Sequence, residues 1–462
     1  MERNIFNNIS PLDNRYSLRN NEFDVYQRYF SEEAKVKYQA KVEESLVKAL
    51  ANRGICSMKV LNEVSEAIRK IEVEEVYKEE KKTKHNIRAL VNCIQKEVSE
   101  KAKPYIHFTT TSFDIVDTAN ALRLKEASNE VIIPTLKSLE KKLIEIAKRE
   151  KDTVQIGRTH GQAAVPITFG FTIAEYVSRL GERIETIKKS ANNLKGKISG
   201  AVGAYNASSL FFDDPESFEK EVLSYLGLKA GEYSTQIVMA EAMTDYVHSL
   251  ISTFGVLANF SDDMRHLQRS EISEVGEHFS KDQVGSSTMP HKRNPINYEN
   301  VKSMWKKFMP QMITLYQDQI SEHQRDLTNS ASSRFIPEIV VGLLLSTNRL
   351  IRVTNKLVVD KENIKRNFDQ YKEMVVAEPL YILLASYGHP DAHEAVRKMT
   401  LEAEKTEKSL REILKKNEDL EKYFEKFTKK QWDILLNPEK YTGIAADKCL
   451  KVCNKWSGQL NL

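Results

Sequence analysis

Residues 136–146, LKSLEKKLIEI, place four apolar side chains at intervals of three and four, namely Leu136, Leu139, Leu143 and Ile146. This spacing brings side chains together on one face of an α-helix. A second segment repeats the spacing with Val247, Leu250, Phe254 and Leu257. The pattern predicts helices that pack side by side through these faces, and we interpret these residues as core.

Few residues interrupt such helices. The chain has 462 residues, of which 17 are glycine and 12 are proline, about half the share that is typical of soluble proteins. No proline lies between Pro166 and Pro215 or between Pro215 and Pro290, which permits helices longer than the average of about 11–12 residues. Residues 153–157 and 197–202 are compatible with short extended segments, but neither sustains alternation. The sequence therefore predicts an all-α protein built around an elongated helical bundle.

Charge and cysteine content argue against several classes of protein. The 69 basic and 65 acidic residues leave a net charge of +4, which is no electrostatic footprint for nucleic acid. The longest apolar run, residues 339–345, is far shorter than the ~20 residues of a membrane span, and residues 1–20 lack the apolar region of a secretory signal. The four cysteines have no pairing pattern and suit a reducing compartment. We expect a cytoplasmic protein with no nucleic-acid or membrane partner.

Three segments combine glycine, small residues and titratable groups that a helix interior would not contain. They are residues 157–162 (GRTHGQ), residues 285–295 (GSSTMPHKRNP), and residues 84–86 together with His107 and residues 109–114. Pro290 and Pro295 exclude a regular helix through the second segment. Composition alone is compatible both with a basic surface connection and with a mobile, anion-binding loop that closes over a substrate.

Other polar residues leave a similar choice open. A single histidine such as His160 is more often structural than catalytic. Arg325 and Arg334 carry guanidinium groups suited to phosphate or carboxylates, whereas the hydroxyls of Ser330 and Ser332 are equally suited to capping a helix. The sequence contains no HExxH or paired CxxC pattern, no phosphate-loop or dinucleotide fingerprint and no GxSxG motif.

Taken together, these segments resemble the fumarase/aspartase superfamily and, within it, the adenylosuccinate lyase branch. Residues 285–295 match the superfamily loop pattern GSSxMPxKxNP. Further strings typical of the branch occur in the family's order: SPLDNRY at 10–16, KH at 84–85, IHF at 106–108, TS at 111–112, RTHGQ at 158–162, GAVG at 200–203, YN at 205–206, STQ at 234–236 and RDLT at 325–328. The resemblance covers nearly the whole chain and is weakest in the last hundred residues.

The resemblance implies a three-domain, all-α fold of the fumarase/aspartase type. An N-terminal helical domain is expected at residues 1–111, a central long-helix bundle at 112–364 and a small C-terminal helical domain at 365–462. It also implies a homotetramer whose active sites are each assembled from three subunits. The implied reaction is β-elimination of fumarate from adenylosuccinate, giving AMP, and from the succinylated aminoimidazole carboxamide ribotide (SAICAR), giving AICAR. No metal and no organic cofactor is expected.

The family match further implies roles for individual residues. His160 is expected to protonate the departing purine nitrogen as a general acid. Ser286 is expected to act as the base, with Ser287 as the alternative. His85 is expected near the same chemistry, and Glu299 is expected to orient His160.

Substrate contacts are also implied by the match. Lys292 and Asn294 are expected to stabilise the charge that develops on a carboxylate, and Thr111 and Ser112 are expected to donate to the substrate carboxylates. The remaining contacts, including those to phosphate and ribose, are expected from Arg15, Tyr16, Lys84, His85, Asn86, His107, Gln236, Asn300, Arg325, Ser330 and Arg334.

Two positions depart from the family pattern. Asn86 stands where the family commonly has aspartate, which removes a charge beside the purine, and Phe113 stands where a small or acidic residue usually follows the Thr–Ser pair. Neither affects the expected acid, base or lysine. Two alternatives remain: a sister lyase that acts on argininosuccinate, malate or aspartate, and a relative that has lost catalysis. The second alternative predicts loss of His160, Ser286 or Lys292, all of which are present.

Overall fold

The computed structural model describes residues 7–19, 22–279, 285–289, 291–406, 408–414 and 416–462. It is largely helical, as the sequence predicts. The helices in chain order are α1 (Phe23–Phe30), α2 (Glu32–Asn52), α3 (Met58–Lys70), α4 (Val73–Thr83), α5 (Asn86–Lys96), α6 (Ser112–Ala127), α7 (Ile133–Arg149), α8 (Phe169–Asn192), α9 (Pro215–Tyr225), α10 (Glu241–Leu267), α11 (Ile296–Phe308), α12 (Gln311–Gln317), α13 (Ile336–Thr354), α14 (Lys361–Val375), α15 (Ala377–Ser386), α16 (Ala392–Thr406), α17 (Leu410–Leu414), α18 (Glu421–Phe424), α19 (Lys429–Leu436) and α20 (Ala445–Gln459).

Long helices occupy the proline-free stretches. Helix α8 has 24 residues and α10 has 27, both well above the average length. The apolar residues at intervals of three and four are buried, each no more than 3% exposed: Leu136, Leu139, Leu143, Ile146, Val247, Leu250, Phe254 and Leu257. Their interpretation as core is confirmed.

Short strands accompany the helices. Strand β1 (Val154–Thr159) pairs with β2 (Gln162–Thr168) in an antiparallel hairpin whose register shifts between Ile156 and Arg158. The sequence predicts an extended segment at 153–157, which β1 confirms, but it does not predict β2. Strand β3 (Lys195–Gly196) runs parallel to β4 (Lys229–Ala230), and β5 (Val275–Gly276) is antiparallel to β6 (Val358–Val359). The segment expected to be extended at 197–202 forms no strand, because β3 ends at Gly196, directly before it.

The chain divides into two compact units. Unit 1 comprises residues 1–136, 182–257 and 303–348, and unit 2 comprises residues 137–181, 258–302 and 349–462. Each unit is discontinuous in sequence, so it does not test the division at 111 and 364, which stays a prediction. In unit 1, helix α2 packs against α3 and α6. In unit 2, α14 packs against β1, and α15 packs against α16 over an apolar cluster that includes Leu380, Leu384 and Val396.

Cys56, Cys93, Cys449 and Cys453 are buried free thiols. Along the described ranges, no helix combines the length and apolar character that crossing a membrane requires.

Candidate active site

The expected site residues divide between the two units. Unit 1 contains Arg15, Tyr16, Lys84, His85, Asn86, His107, Thr111, Ser112, Gln236, Arg325, Ser330 and Arg334, and unit 2 contains His160, Ser286, Lys292, Asn294, Glu299 and Asn300. Each group is described within its own unit.

His85 and Ser112 meet at the start of two helices in unit 1. Lys84 ends α4 in the left-handed conformation with φ 55°, and His85 then caps α5, its Nδ1 accepting the Arg88 N–H at 3.2 Å. A neutral His85 therefore carries its proton on Nε2. This Nε2 lies 3.3 Å from Ser112 Oγ, at the first residue of α6. The cap thus fixes the tautomer and aims an N–H at the Thr111–Ser112 pair.

A buried carboxylate fixes the start of α6. Asp114 Oδ2 accepts the Thr111 N–H at 2.8 Å, and Asp114 Oδ1 accepts the Ser199 N–H at 3.1 Å and pairs with Lys197 Nζ. Lys197 Nζ also donates to the Gly200 carbonyl at 3.1 Å. The side chains of Lys197 and Asp114 are 1% and 0% exposed. Asp114 therefore holds the Thr–Ser pair against residues 197–200.

His107 is fixed by a second buried carboxylate. Glu43, which is fully buried, accepts the His107 N–H at 2.9 Å and lies 2.7 Å from His107 Nδ1. Burial alone lowers the pKa of His107, but its hydrogen bond to Glu43 and the charge of that group outweigh this effect, so the pKa is raised. Both His107 and Thr109 have positive φ, 61° and 63°, a conformation that is uncommon for residues other than glycine. The segment before Thr111 is thus held in a strained shape.

Residues 234–238 connect α6 to the loop that carries Arg325. Ser199 Oγ lies 2.7 Å from Ser234 Oγ, and Asp117 Oδ2 accepts the Val238 N–H at 3.0 Å. The N–H of Gln236 donates to the Gln324 carbonyl at 3.3 Å. Burial raises the pKa of Asp117 to about 6, against the lowering effects of the Val238 hydrogen bond and of the Lys197 and Arg325 charges. The STQ and RDLT strings of the sequence are therefore neighbours in space.

Close backbone approach at this junction requires glycine. Gly203 has φ 80°, and a Cβ there would lie 2.0 Å from the Ser234 carbonyl oxygen. This contact explains the second glycine of the GAVG string.

The guanidinium of Arg325 lies over an aromatic ring. Its carbon is 4.5 Å from the centroid of Phe113, the residue that departs from the family pattern. The other anion-binding candidates of unit 1 lie in short turns. Arg15 and Tyr16 stand between the 3₁₀ turns Pro11–Asp13 and Ser17–Arg19, whereas Ser330 precedes and Arg334 belongs to the turn Ser332–Phe335.

In unit 2, His160 stands at the tip of the β1–β2 hairpin. Thr159 pairs with Gln162, so His160 and Gly161 form a two-residue loop, and their φ angles are 55° and 75°. Positive φ at both positions is characteristic of a type I′ turn, which prefers Asn, Asp or Gly. The side chain of His160 is exposed. The RTHGQ string thus places an imidazole on a tight turn at some backbone cost.

Arg158, in the same string, is committed to a structural contact. Its NH1 and NH2 donate to Glu274 at 3.2 and 2.6 Å, and Gln155 and Asn367 also donate to this fully buried carboxylate. Such a two-pronged contact fills the planar fork of the guanidinium. Arg158 therefore anchors the hairpin.

Two backbone donors converge on Ser286 in the loop at 285–295. Its Oγ accepts the Thr288 N–H at 3.3 Å and the Met289 N–H at 3.1 Å. The loop is closed by Asn294, whose Nδ2 donates to the Gly285 carbonyl at 2.9 Å. A Cβ at Gly285 would lie 2.0 Å from the Lys292 carbonyl oxygen, so this position needs glycine. Ser287, the alternative base, is exposed.

The remaining expected residues of unit 2 lie beside this loop. Lys292 is exposed, and Glu299 and Asn300 belong to the first turns of α11. His160 and Glu299 form no hydrogen bond or ion pair with each other in the part of one chain that is described, so the orientation of His160 by Glu299 stays a prediction.

Four acidic or basic positioning residues were not identified from the sequence: Glu43, Asp114, Lys197 and Glu274. Only Asp114 carries a local signal, since T-x-x-D before a helix is typical of an N-terminal cap. The contacts of the other three join distant positions: Glu43 contacts His107 across 64 residues, Lys197 contacts Asp114 across 83, and Glu274 contacts Arg158 across 116. Among the residues that the structure describes, no three His, Cys, Asp or Glu side chains are grouped as metal ligands.

Family comparison finds two matches in this chain. A family described as lyase matches residues 14–309, and one described as adenylosuccinate lyase C-terminal matches residues 321–442.

Individual proteins show the same similarity. Adenylosuccinate lyase from Pyrococcus abyssi is 36% identical over 96% of this chain and 97% of that protein. The Archaeoglobus fulgidus enzyme is 33% identical over 98% of this chain and 99% of its own length, and the Bacillus subtilis enzyme is 34% identical over 74% and 78%.

Solved structures share the fold at lower identity. A fumarate lyase from Mesorhizobium sp. BNC1 superimposes with a TM-score of 0.81 at 22% identity, covering 93% of this chain and 97% of that one. The 3-carboxy-cis,cis-muconate lactonizing enzyme from Pseudomonas putida gives 0.82 at 22% identity, covering 95% and 98%.

Proposed function

The chain belongs to the adenylosuccinate lyase family, and from that premise we propose that it cleaves adenylosuccinate to AMP and fumarate, and SAICAR to AICAR and fumarate. The observation that carries the proposal is the match to adenylosuccinate lyases over almost the entire chain, with the proton-transfer candidates His160 and Ser286 and the cation Lys292 all retained.

The reaction breaks a carbon–nitrogen bond after a proton is removed from the neighbouring carbon. The base takes this proton from the carbon beside a substrate carboxylate, and the electron pair left behind is delocalised onto that carboxylate. Collapse of the carbanion forms the double bond of fumarate and releases the nitrogen with the bond electrons. A general acid then gives that nitrogen a proton, so charge and atoms balance.

Ser286 is the base of the proposed mechanism. A free hydroxyl is a poor base, and its alkoxide needs stabilisation before it can accept a carbon-bound proton. The N–H groups of Thr288 and Met289 that donate to Ser286 Oγ are fixed dipoles of the kind that stabilises an oxyanion. Ser287 is exposed. These contacts support Ser286 over Ser287.

In this mechanism, Lys292 and the Thr111–Ser112 pair stabilise the negative charge that develops on the substrate carboxylate. Lys292 supplies a cation from the same loop as the base, and His85 Nε2–H, 3.3 Å from Ser112 Oγ, orients the serine hydroxyl. One preorganised donor of this kind typically lowers the activation free energy by about 3 kcal/mol. Closure of the loop over the substrate would exclude water and strengthen these interactions.

His160 is the proposed acid, and its exposed position on a hairpin tip suits a group that must reach a bound substrate. We further propose a cytoplasmic homotetramer in which residues from three subunits complete each active site.

Substrate specificity tests the proposal. The purified protein is incubated with adenylosuccinate, SAICAR and argininosuccinate, and fumarate release is followed while light scattering reports the assembly. We expect turnover of the two purine substrates and none of argininosuccinate. Cleavage of argininosuccinate instead would assign the chain to a sister reaction.

A further inference from the structure

The guanidinium of Arg325 has an unusual environment in unit 1. Its carbon lies 4.5 Å from the ring centroid of Phe113, and its Nε is buried without a hydrogen-bond partner in the described structure. Within the described ranges, Arg325 makes no side-chain hydrogen bond and no ion pair. A guanidinium has five N–H donors. The contact with the Phe113 ring uses none of them as a hydrogen-bond donor to a protein acceptor.

Three carboxylates act on Arg325 through their charge, yet each is engaged elsewhere. Asp326 accepts the Thr328 N–H at 2.9 Å and the Thr328 hydroxyl at 2.6 Å. Asp318 accepts the Ser332 hydroxyl, and Asp117 accepts the Val238 N–H. Burial lowers the pKa of Arg325, and these three charges raise it in part. The acids therefore compensate the burial of the cation without occupying its donors.

Arg158 provides the contrast within the same chain. Its two terminal nitrogens are both bonded to Glu274, and an arginine in that state has its fork filled and cannot take a second bidentate anion. A ring contact differs because the aromatic face attracts the cation while leaving the N–H edge free.

We propose that Phe113 is a positioning residue that holds Arg325, through its ring face, with the N–H edge open to an anionic group of the nucleotide substrate. The proposal rests on the proposed function, because it assumes that Arg325 meets the substrate. Phe113 and Asp117 are four residues apart on α6 and share one face of the helix. Together they would set the position of the guanidinium, the ring by contact and the carboxylate by charge.

The test compares substitutions that keep or remove the ring. Phe113→Leu retains an apolar side chain but no ring face, and we expect KM for adenylosuccinate and Kd for AMP to rise about 3- to 30-fold, in line with a partly buried cation–π contact. Phe113→Tyr and Phe113→Trp should restore values within about threefold of wild type. Phe424→Leu is the matched control, since Phe424 packs against Phe427 and Trp432 in unit 2 and no cation among the described residues lies on its ring.

The same substitution in an Arg325→Met background separates positioning from packing. If Phe113 acts through Arg325, the double variant binds AMP no more weakly than Arg325→Met alone. An equal loss in both backgrounds, or a Phe113→Leu variant with unchanged Kd, would overturn the proposal. AMP binding is measured by calorimetry and needs no turnover, so absence of fumarate release in the wild-type protein would reject the proposed function separately.

Discussion

Asp114 and Lys197, 83 positions apart in the sequence, form an ion pair in which both side chains are almost fully buried. Three backbone N–H groups, those of Thr111, Ser199 and Gly200, donate to the same carboxylate. The pair therefore joins the Thr–Ser turn at the start of α6 to the glycine-rich turn at 200–203. The geometry of a turn that we propose to bind substrate thus depends on a lysine that is itself inaccessible.

Removal of this lysine should be costly. Lys197→Met leaves the Asp114 charge buried without a counter-ion, and we expect a loss of about 3–5 kcal/mol in the free energy of unfolding, measured by urea denaturation. Lys220→Met is the control, because the Lys220–Glu216 pair is 67% and 64% exposed and should contribute less than about 1 kcal/mol. Equal effects of the two substitutions would contradict this role of Lys197 as the counter-ion of Asp114.

The two serines of the loop should differ sharply. Ser286→Ala removes the oxygen on which the Thr288 and Met289 N–H groups converge, and we expect kcat to fall at least about 100-fold. Ser287→Ala removes a neighbouring exposed hydroxyl and should leave kcat within about threefold of wild type. Steady-state kinetics of the two variants show which serine is the base. A larger loss of kcat in Ser287→Ala than in Ser286→Ala would assign the role to Ser287.

The histidine at the hairpin tip should show opposite effects on rate and stability. His160→Asn removes the proposed acid but places a residue that tolerates positive φ in the type I′ turn. We expect kcat to fall at least about 100-fold while the melting temperature stays the same or rises. Gly161→Ala should instead lower stability by about 1 kcal/mol, since its φ of 75° disfavours a Cβ. A near-normal rate for His160→Asn would refute the acid role.

Glu140 should make stability depend on pH. It is fully buried in α7, neither carboxylate oxygen has a hydrogen-bond partner in the described structure, and burial raises its pKa from 4.5 to about 9. The folded protein therefore holds a proton that the unfolded chain releases, so this group's contribution to stability falls as pH rises from about 5 to about 9.

Glu140→Gln removes that dependence because glutamine does not titrate. We expect the two proteins to diverge as pH rises. From about pH 5 to about pH 8, the unfolding free energy of wild type should fall by about 4 kcal/mol relative to that of the variant. Glu145→Gln, on the same helix and 48% exposed, serves as the control. Parallel stability curves for wild type and Glu140→Gln would show that the carboxyl is not protonated in the fold.

The sequence predicted the helical architecture because that information is local. Spacing of three and four residues placed Leu143 and Leu250 in the core, and the absence of proline from 167 to 214 allowed the full length of α8. Strand β2 was missed because residues 162–168 contain a proline, Pro166, and lack clear alternation. The β1 partner and the tight turn at His160 and Gly161 define the strand instead.

The residues that support the site could be predicted only in part. Motif strings located His85, Ser112 and Ser286, and the N–H groups that contact His85 and Ser286 lie within three residues of them. The groups that hold the segments around Ser112 and His107, by contrast, are set by tertiary contacts. Neither Lys197 nor Glu43 has a local pattern that distinguishes it from surface charge. Phe113 was recognised as a departure from the family pattern, yet its contact with Arg325 joins two segments more than two hundred positions apart.

The proposed reaction is tested most directly by the stoichiometry of product formation from adenylosuccinate. We predict that the purified protein releases AMP and fumarate in equal amounts, with no added metal or cofactor, and that Ser286→Ala does so at least about 100-fold more slowly. A correctly assembled wild-type protein that releases neither product, or releases both no faster than Ser286→Ala, would contradict it.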